Sequence, residues 1–225
     1  MKAVTFSYDD GVTQDIRLVE ILNRYNLKAT FNLNSELLGK DGSLDILGKR
    51  ILHNKIQPHE ITEVYKGHEI AAHTLTHPDM TEMPADEVIR QVEQDRLNLS
   101  ELSGTEVIGM AYPGRQPNYN SRIARIIKNG TGVKYARTTI CNKDFSYQND
   151  LYEFHPSVFH RDWDQLYKLA EKFVELDPKS EKIFYIWGHS YEFDINYEWD
   201  KFEEFCKYIA NRSDIFYGTN KEILL

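Results

Sequence analysis

The sequence predicts an α/β fold in which parallel strands alternate with helices and close into a (β/α) barrel. Three observations lead there. The first 33 residues read strand, helix, strand, a βαβ unit with parallel strands and a right-handed crossover. The alternation then recurs along the chain and gives seven or eight strands with helical periodicity between them. Carboxylates, imidazoles and turn residues fall directly after several of those strands, and in a barrel of this kind such positions share the face that carries the active site.

Taken in order, residues 2–7 form the first strand, and Tyr8, Asp9, Asp10 and Gly11 the turn that leaves it. Thr13 is placed to cap a helix whose inward face is Leu18, Ile21, Leu22 and Tyr25, spaced i, i+3, i+4, i+7. Residues 28–33 are the second strand. Residues 34–57 carry Gly39, Gly42 and Gly48 and no clear period, so they read as a long excursion of the kind that serves as a lid or substrate wall. His53 and His59 are expected at its surface. A short helix over 58–65 leads to the third strand, 68–72. Pro84 opens a helix with the stripe Val88, Val92, Leu99 and Leu102, closed by Gly104.

Residues 107–112 are the fourth strand, left by the turn Pro113, Gly114, Arg115. A helix around Ile123, Ile126 and Ile127 ends near Gly130, and 133–139 is the fifth strand. Residues 140–151 read as loop and 152–155 as a short sixth strand. Asp162 and Gln165 have the spacing of a capping box for a helix carrying Leu166, Leu169, Ala170, Phe173 and Val174. Residues 182–187 form a further strand that runs into Gly188 and His189. A last helix, with Phe202, Phe205 and Ile209 inward, precedes a terminal strand over 215–217. No repeat or low-complexity segment interrupts the pattern, and 1–225 is expected to be one domain.

Composition narrows the function classes. The net charge of −8 and the lack of any Lys/Arg cluster argue against nucleic acid, an anionic membrane surface or a polyanionic substrate. No apolar run approaches the roughly 18 residues of a membrane span. The run 2–7 gives way to two aspartates where a secretory segment would continue apolar. The chain as it stands is therefore expected in the cytoplasm, and outside the cell if it is a piece of an exported protein. Cys141 and Cys206 lie in no motif and are expected as free thiols.

The densest signal is in residues 67–78, where an apolar strand runs into His73 and His77, with Pro78 behind them. On one helical turn, side chains at i and i+4 have Cβ atoms roughly 5–6 Å apart, within reach of a single ion. On an extended strand they would be about 13 Å apart. A helical turn ended by Pro78 is therefore expected directly after the strand. A pair of ordinary loop histidines is the alternative, and the carboxylates of Asp9 and Asp10, at another strand end, weigh against it.

Residues 5–11, with Asp9-Asp10-Gly11, resemble the T-F-D-D-G first motif of the polysaccharide deacetylases, the NodB-homology domains of carbohydrate esterase family four. His73-Thr74-Leu75-Thr76-His77 resembles their H-[ST]-x-x-H second motif. Residues 111–114 are similar to the A-Y-P-Y-G form of the third, and Trp187-Gly188-His189 stands where a late L-x-H motif would fall. The resemblance implies a distorted (β/α)7 barrel of TIM-barrel type holding one divalent ion on Asp10, His73 and His77. It makes Asp9 the general base and His189 the general acid, with Tyr112, Gly114 and Arg115 on the oxyanion and substrate side. Two histidines and one aspartate leave a coordination position open, as in catalytic zinc sites, and the mixed donors also suit cobalt, nickel or iron.

Two departures stand out. The third motif lacks the family's common arginine ahead of its proline, which leaves open whether Arg115 reaches Asp9. The D-x-x-D-W fourth motif is absent as such, and Asp162 is expected either to orient His189 or only to cap its helix. Trp163, Trp187, Trp199 and Tyr191 are candidates for stacking on sugar rings or for the core. The expected substrate is an N-acetylated, or O-acetylated, sugar or oligosaccharide. A catalytically silent carbohydrate-binding barrel and a metal hydrolase of small amides or cyclic ureides remain alternatives, because a ligand triad reports reaction class more than substrate.

Overall fold

Strand β1 (Lys2–Asp9) is buried along its whole length, and its two faces do different work. Val4, Phe6 and Tyr8 point outward into the main apolar cluster, where Phe6 and Tyr8 meet Phe202 edge to face. Thr5, Ser7 and Asp9 alternate with them and point into the barrel, the period-2 consequence of a pleated strand. The computed structural model describes residues 2–225. In it β1 is followed by α1 (Asp15–Arg24), β2 (Ala29–Leu33), β3 (Ser43–Ile46), β4 (Lys49–Leu52), α2 (Ile61–Val64) and β5 (Glu69–Ala72). Then come α3 (Ala85–Ile89), α4 (Asp95–Ser103), β6 (Gly109–Ala111), α5 (Ser121–Gly130), β7 (Tyr135–Arg137), β8 (Val158–Phe159) and α6 (Trp163–Glu175). The chain finishes with β9 (Lys182–Gly188), α7 (Glu192–Ile195), α8 (Trp199–Ile209), β10 (Ile215–Tyr217) and α9 (Asn220–Leu224).

The strands pair in the order β7-β6-β5-β2-β1-β9-β8, every neighbour parallel. One short segment spans the remaining gap. Phe154 bridges to Arg137 on β7, while Ser157 and His160 donate backbone N–H groups to Tyr185 and Trp187 on β9, each at 2.8 Å. These seven staves are the expected distorted (β/α)7 barrel, with the poorest pairing at 154–160. β10 adds to the open edge of β1 at Lys2–Val4, before β2 begins.

The barrel interior is polar at the bottom as well as at the mouth. Helix α9 plugs the amino-terminal end: Asn220 N–H donates to Thr30 Oγ1 at 2.8 Å and Lys221 N–H to Glu69 Oε2 at 2.9 Å. Thr30 and Tyr135 hydroxyls satisfy the same buried Glu69 at 2.7 and 2.8 Å. No helix among the described residues is long and apolar enough to cross a membrane.

Several local expectations are corrected. Gln14, not Thr13, precedes α1, and no side chain caps that helix. Residues 34–57 contain the antiparallel hairpin β3–β4. Residues 151–153 form a 3-10 turn and the strand lies later, at β8, because only there does the backbone reach the carbonyls of β9. Asp162 precedes α6 with no side-chain cap bond; its backbone carbonyl takes the Leu166 N–H at 2.7 Å. Between α3 and α4 the helix widens into a π turn over Arg90–Gln94. That extra residue shifts the phase, so Asp95 and Leu99 turn inward and Leu102, expected on the stripe, is exposed.

Two measurements test this packing. A Cβ at Gly109 would meet the Tyr135 ring and hydroxyl at 2.1 Å, so Gly109→Ala must displace a buried ring that is hydrogen-bonded to Glu69. It should lower the unfolding free energy in urea by about 1–3 kcal/mol, and an unchanged midpoint would contradict the packing. Asp15, the first residue of α1, is fully buried and accepts hydroxyl protons from Ser190 at 2.5 Å and Tyr65 at 2.8 Å. Burial pushes its carboxyl up to about 7 against those bonds. The folded value exceeds the roughly 3.9 of an unfolded aspartate, so its stabilising contribution is complete below that pH and is lost as pH rises through 7. The Asp15→Asn variant should therefore gain on the parent by about 3 kcal/mol between about pH 5 and pH 8.5, whereas a pH-independent difference would refute the shift.

Candidate active site

The carboxyl ends of the staves converge on one mouth. β1 ends at Asp9, after which the chain turns sharply, with φ of +83° at Asp10 and +60° at Gly11. Glycine is required at the second position because a Cβ there would meet the Leu33 side chain at 2.7 Å. Asp10, an L-residue in the left-handed region, is held by its N–H donating to Asn32 O at 3.0 Å.

Asp9 is nearly out of water and closely paired. Arg137, at the end of β7 and wholly buried, donates from one terminal nitrogen to both carboxylate oxygens at 2.5 Å, and Asn32 Nδ2 donates to Oδ1 at 2.8 Å. The guanidinium also stacks over Trp187, 4.6 Å from its centroid. Burial raises the Asp9 carboxyl, but Arg137, with His73 and His189, outweighs it and holds the group below its ordinary value. Arg115 is exposed and makes no hydrogen bond or ion pair among the described residues. The guanidinium on Asp9 is thus supplied by Arg137, one strand further along.

His73 and His77 do not share a helical turn. They sit on an irregular loop with φ of +70° at Thr74 and +58° at His77, where Pro78 denies His77 the α-helical region. Left-handed threonine is strained by about 1–3 kcal/mol, and buried partners hold it there. Asn34 Nδ2 donates to the carbonyls of His73 and Thr74 at 2.6 and 2.9 Å, and the His73 N–H donates to Asp95 Oδ2 at 2.9 Å. Leu75 N–H donates to Gln91 O at 3.0 Å. Gln91 and Asp95 lie in and just after the π turn, so the widened helix is what grips the loop.

The loop nevertheless brings the imidazoles together, with ring centroids 5.0 Å apart. His73 Nδ1 donates to Ala111 O at 2.8 Å, which leaves Nε2 with its lone pair toward the mouth. Burial lowers this imidazole to about 4, so it is neutral and able to bind an ion. Donor atoms of Asp10, His73 and His77 all lie within 4.8 Å of one another. Ligands at about 2.1 Å from one tetrahedral ion are about 3.4 Å apart. The separations here, 3.7 Å for His77 Nε2 to Asp10 Oδ1 and 4.0 Å for His73 Nε2 to Asp10 Oδ1, are slightly wider. With a bare nitrogen and a carboxylate held ionised, the donor set fits a divalent cation of borderline softness.

His189 follows β9. Its Nε2 is 3.9 Å from Asp9 Oδ2, and its Nδ1 is 3.2 Å from Glu192 Oε2. The same oxygen takes the His189 backbone N–H at 3.1 Å and lies 2.8 Å from Nε2 of the buried His160. Burial opposes a charge on His189, but Glu192, Asp10 and Asp9 outweigh it and push it up to about 9. Glu192, despite its own burial, is held well below the usual carboxylate range by the two imidazoles. Glu192, three residues on, therefore orients His189, in the place expected of Asp162. Gly188 is needed here because a Cβ would meet the His160 ring at 2.3 Å.

These groups open into a cleft of about 930 Å³ whose walls include Gly114, Arg115, Trp187, Tyr191 and the hairpin residues Leu44 and Ile46. Gly114 has φ of +87°. Tyr112 lines the wall with its hydroxyl donated to Tyr152 O at 2.8 Å. Trp163 and Trp199 are core residues, their indole N–H groups donating to Glu198 and Asp194 at 2.9 and 2.7 Å. His53, expected at the surface, lines the cleft 3.2 Å from Asp10, whereas His59 is exposed. Arg137 had a readable signal, a cation inside the predicted strand 133–139. Glu192 had only its place three residues after His189, and His53 had no signal at all.

The sequence pattern of a family described as polysaccharide deacetylase matches residues 1–136. A bifunctional xylanase/deacetylase of Pseudobutyrivibrio xylanivorans is 27% identical over 107 residues, 47% of this chain and 15% of that protein. The peptidoglycan-N-acetylglucosamine deacetylase PgdA of Listeria monocytogenes is 23% identical over 151 residues, 66% of this chain and 28% of that one. The chain thus spans 15% and 28% of the length of these curated relatives. The solved structure of Puue allantoinase shares the fold, with a TM-score of 0.71 at 10% identity over 99% of this chain and 88% of that one. With more than half of its length matched by the family's pattern, and the barrel and its strand-end residues in place, this chain belongs to the polysaccharide deacetylase family.

Proposed function

We propose that the chain is a metal-dependent hydrolase that releases acetate from an N-acetylated, or O-acetylated, sugar or oligosaccharide. The observation that carries this reading is the adjacency, in one cleft, of three ligand-type side chains within 4.8 Å of one another and two flanking groups of opposite proton status, Asp9 and His189. Asp10, His73 and His77 would hold one divalent ion, with zinc the first candidate and cobalt, nickel or iron also suited to the donors. Such an ion supplies Lewis acidity, which polarises an acetyl carbonyl and makes a water acidic.

The remaining work falls to the chain. Asp9 is ionised at neutral pH because Arg137 and Asn32 hold its charge, so it can take a proton from the attacking water. Arg137 and Asn32 also fix its position. The Gly114 N–H is the candidate donor to the oxyanion that develops as the carbonyl is attacked. An amine leaves poorly unless protonated, and His189, its Nδ1 oriented by Glu192, carries a proton at neutral pH to give from Nε2. Trp187 and Tyr191 line the cleft wall but are only 9% and 8% exposed and are packed by Arg137 and by His53 and His189, so they shape the wall and offer a sugar ring no more than an edge.

Chelation should abolish acetate release from an N-acetylglucosamine oligomer, and added zinc or cobalt should restore it. Asp9→Asn should keep the metal, measured by elemental analysis, while turnover falls by about 10²–10⁴-fold, as for loss of a general base. Undiminished turnover in metal-free protein would sink the proposal. Full metal occupancy with glycan binding but no acetate would point instead to a silent carbohydrate-binding barrel.

A further inference from the structure

The limb that returns from hairpin β3–β4 to the barrel has no part in the chemistry above, yet it is fastened directly to Asp10. His53 Nε2 lies 3.2 Å from Asp10 Oδ2. An ionised carboxylate only accepts, so the ring nitrogen donates. Two residues on, the buried Lys55 donates from Nζ to the Asp10 carbonyl at 2.6 Å and bridges through its backbone to Val12. His53 is itself braced. Its backbone N–H donates to Gly42 O at 2.8 Å, and its ring meets Tyr191 edge to face at 4.9 Å.

The two oxygens of Asp10 are thereby distinguished. Oδ2 is taken by His53, while Oδ1 faces His77 at 3.7 Å and His73 at 4.0 Å, with the Lys55 ammonium also 3.7 Å from it. We propose that His53 is a positioning residue that makes Asp10 a one-oxygen ligand: by occupying Oδ2 it presents Oδ1 alone to the ion. The inference rests on the metal-binding reading above. A carboxylate with both oxygens free can bind through both, as carboxylates do around larger ions, and would then fill the position that water and substrate need.

The hairpin fixes this arrangement in register. Lys49 Nζ donates to Ile195 O at 2.5 Å and Gln14 Nε2 to Leu52 O at 2.9 Å, so the limb carrying His53 is tied on one side to α7 and on the other to the start of α1. The cleft wall and the ligand geometry are then one unit, and a shift of the hairpin alters the coordination of the ion.

The test uses the full chain and its His53→Leu and His53→Gln variants, each checked for parent-like circular dichroism and thermal midpoint. Co2+ is titrated in competition with a chromophoric chelator, and its visible absorption is recorded. His53→Leu should bind Co2+ about 10–100-fold more weakly, with absorption bands that lose intensity as the coordination shell expands. His53→Gln, whose amide N–H reaches the same oxygen, should stay within about threefold of the parent, far inside the usual cost of losing such a partner. Parent affinity and spectrum in His53→Leu would overturn the inference while leaving the metal site standing. A loss in His53→Gln as large as in His53→Leu would also overturn it, since the imidazole would then be a ligand in its own right. A parent chain that binds no Co2+ would remove the metal reading and this inference together.

Discussion

Two ionised carboxylates on consecutive residues, Asp9 and Asp10, only 2% and 6% exposed, are the constraint around which the mouth of the barrel is built. A buried charge is tolerated only when paired and hydrogen-bonded, and removal of one partner of a buried pair typically costs about 3–5 kcal/mol. The two residues solve the problem separately. Inside the barrel Arg137 neutralises Asp9 and Asn32 adds a hydrogen bond; Asn32 lies on the adjacent β2, 23 residues away, whereas Arg137 reaches across the barrel from β7, 128 residues away. Asp10, turned outward by its positive φ, is met by His53 and Lys55 from the excursion and faces the two imidazoles of the following loop. One carboxylate is thus closed off by a buried guanidinium, and the other turns one oxygen toward two imidazoles, with the Lys55 ammonium 3.7 Å from that same oxygen.

That division explains where strain is stored. Asp10, Thr74 and His77 all take left-handed backbone conformations, and all three lie within the cluster of ligand-type side chains or beside it. Such geometry persists only where the surroundings over-determine it. Here the surroundings are Asn34, Asp95 and Gln91, buried polar groups that all hold the loop carrying the histidines, with Asp95 also taking the backbone N–H of Ser35.

Much of this was legible in the sequence, for physical reasons. The apolar/polar alternation of residues 2–7 marks a strand, although such a pattern announces one buried face and this strand is buried on both, and strand-end placement of Asp10, His73 and His189 follows from the parallel topology. The His73/His77 pair was readable as a pair but not as a shape, because a helical turn and a strained loop both close the distance between i and i+4. What decides between them is Asp95, turned inward by a π turn that no residue pattern announces. Leu102 was misplaced on the buried stripe for the same cause. Partners of charged groups were the least legible. Arg137 reaches Asp9, and Glu192 reaches His189, through barrel geometry; neither Arg115 nor Asp162, the nearer motif matches, does so.

The central claim is that Asp10, His73 and His77 form a site for one divalent ion. Elemental analysis of the purified parent and of His73→Ala, alongside acetate release from an N-acetylglucosamine oligomer, tests it most directly. The account predicts about one ion per chain in the parent, as for a single three-ligand site, with loss of both ion and acetate release in a variant that still folds. A parent chain free of metal, or a His73→Ala variant that keeps its full complement, would contradict it.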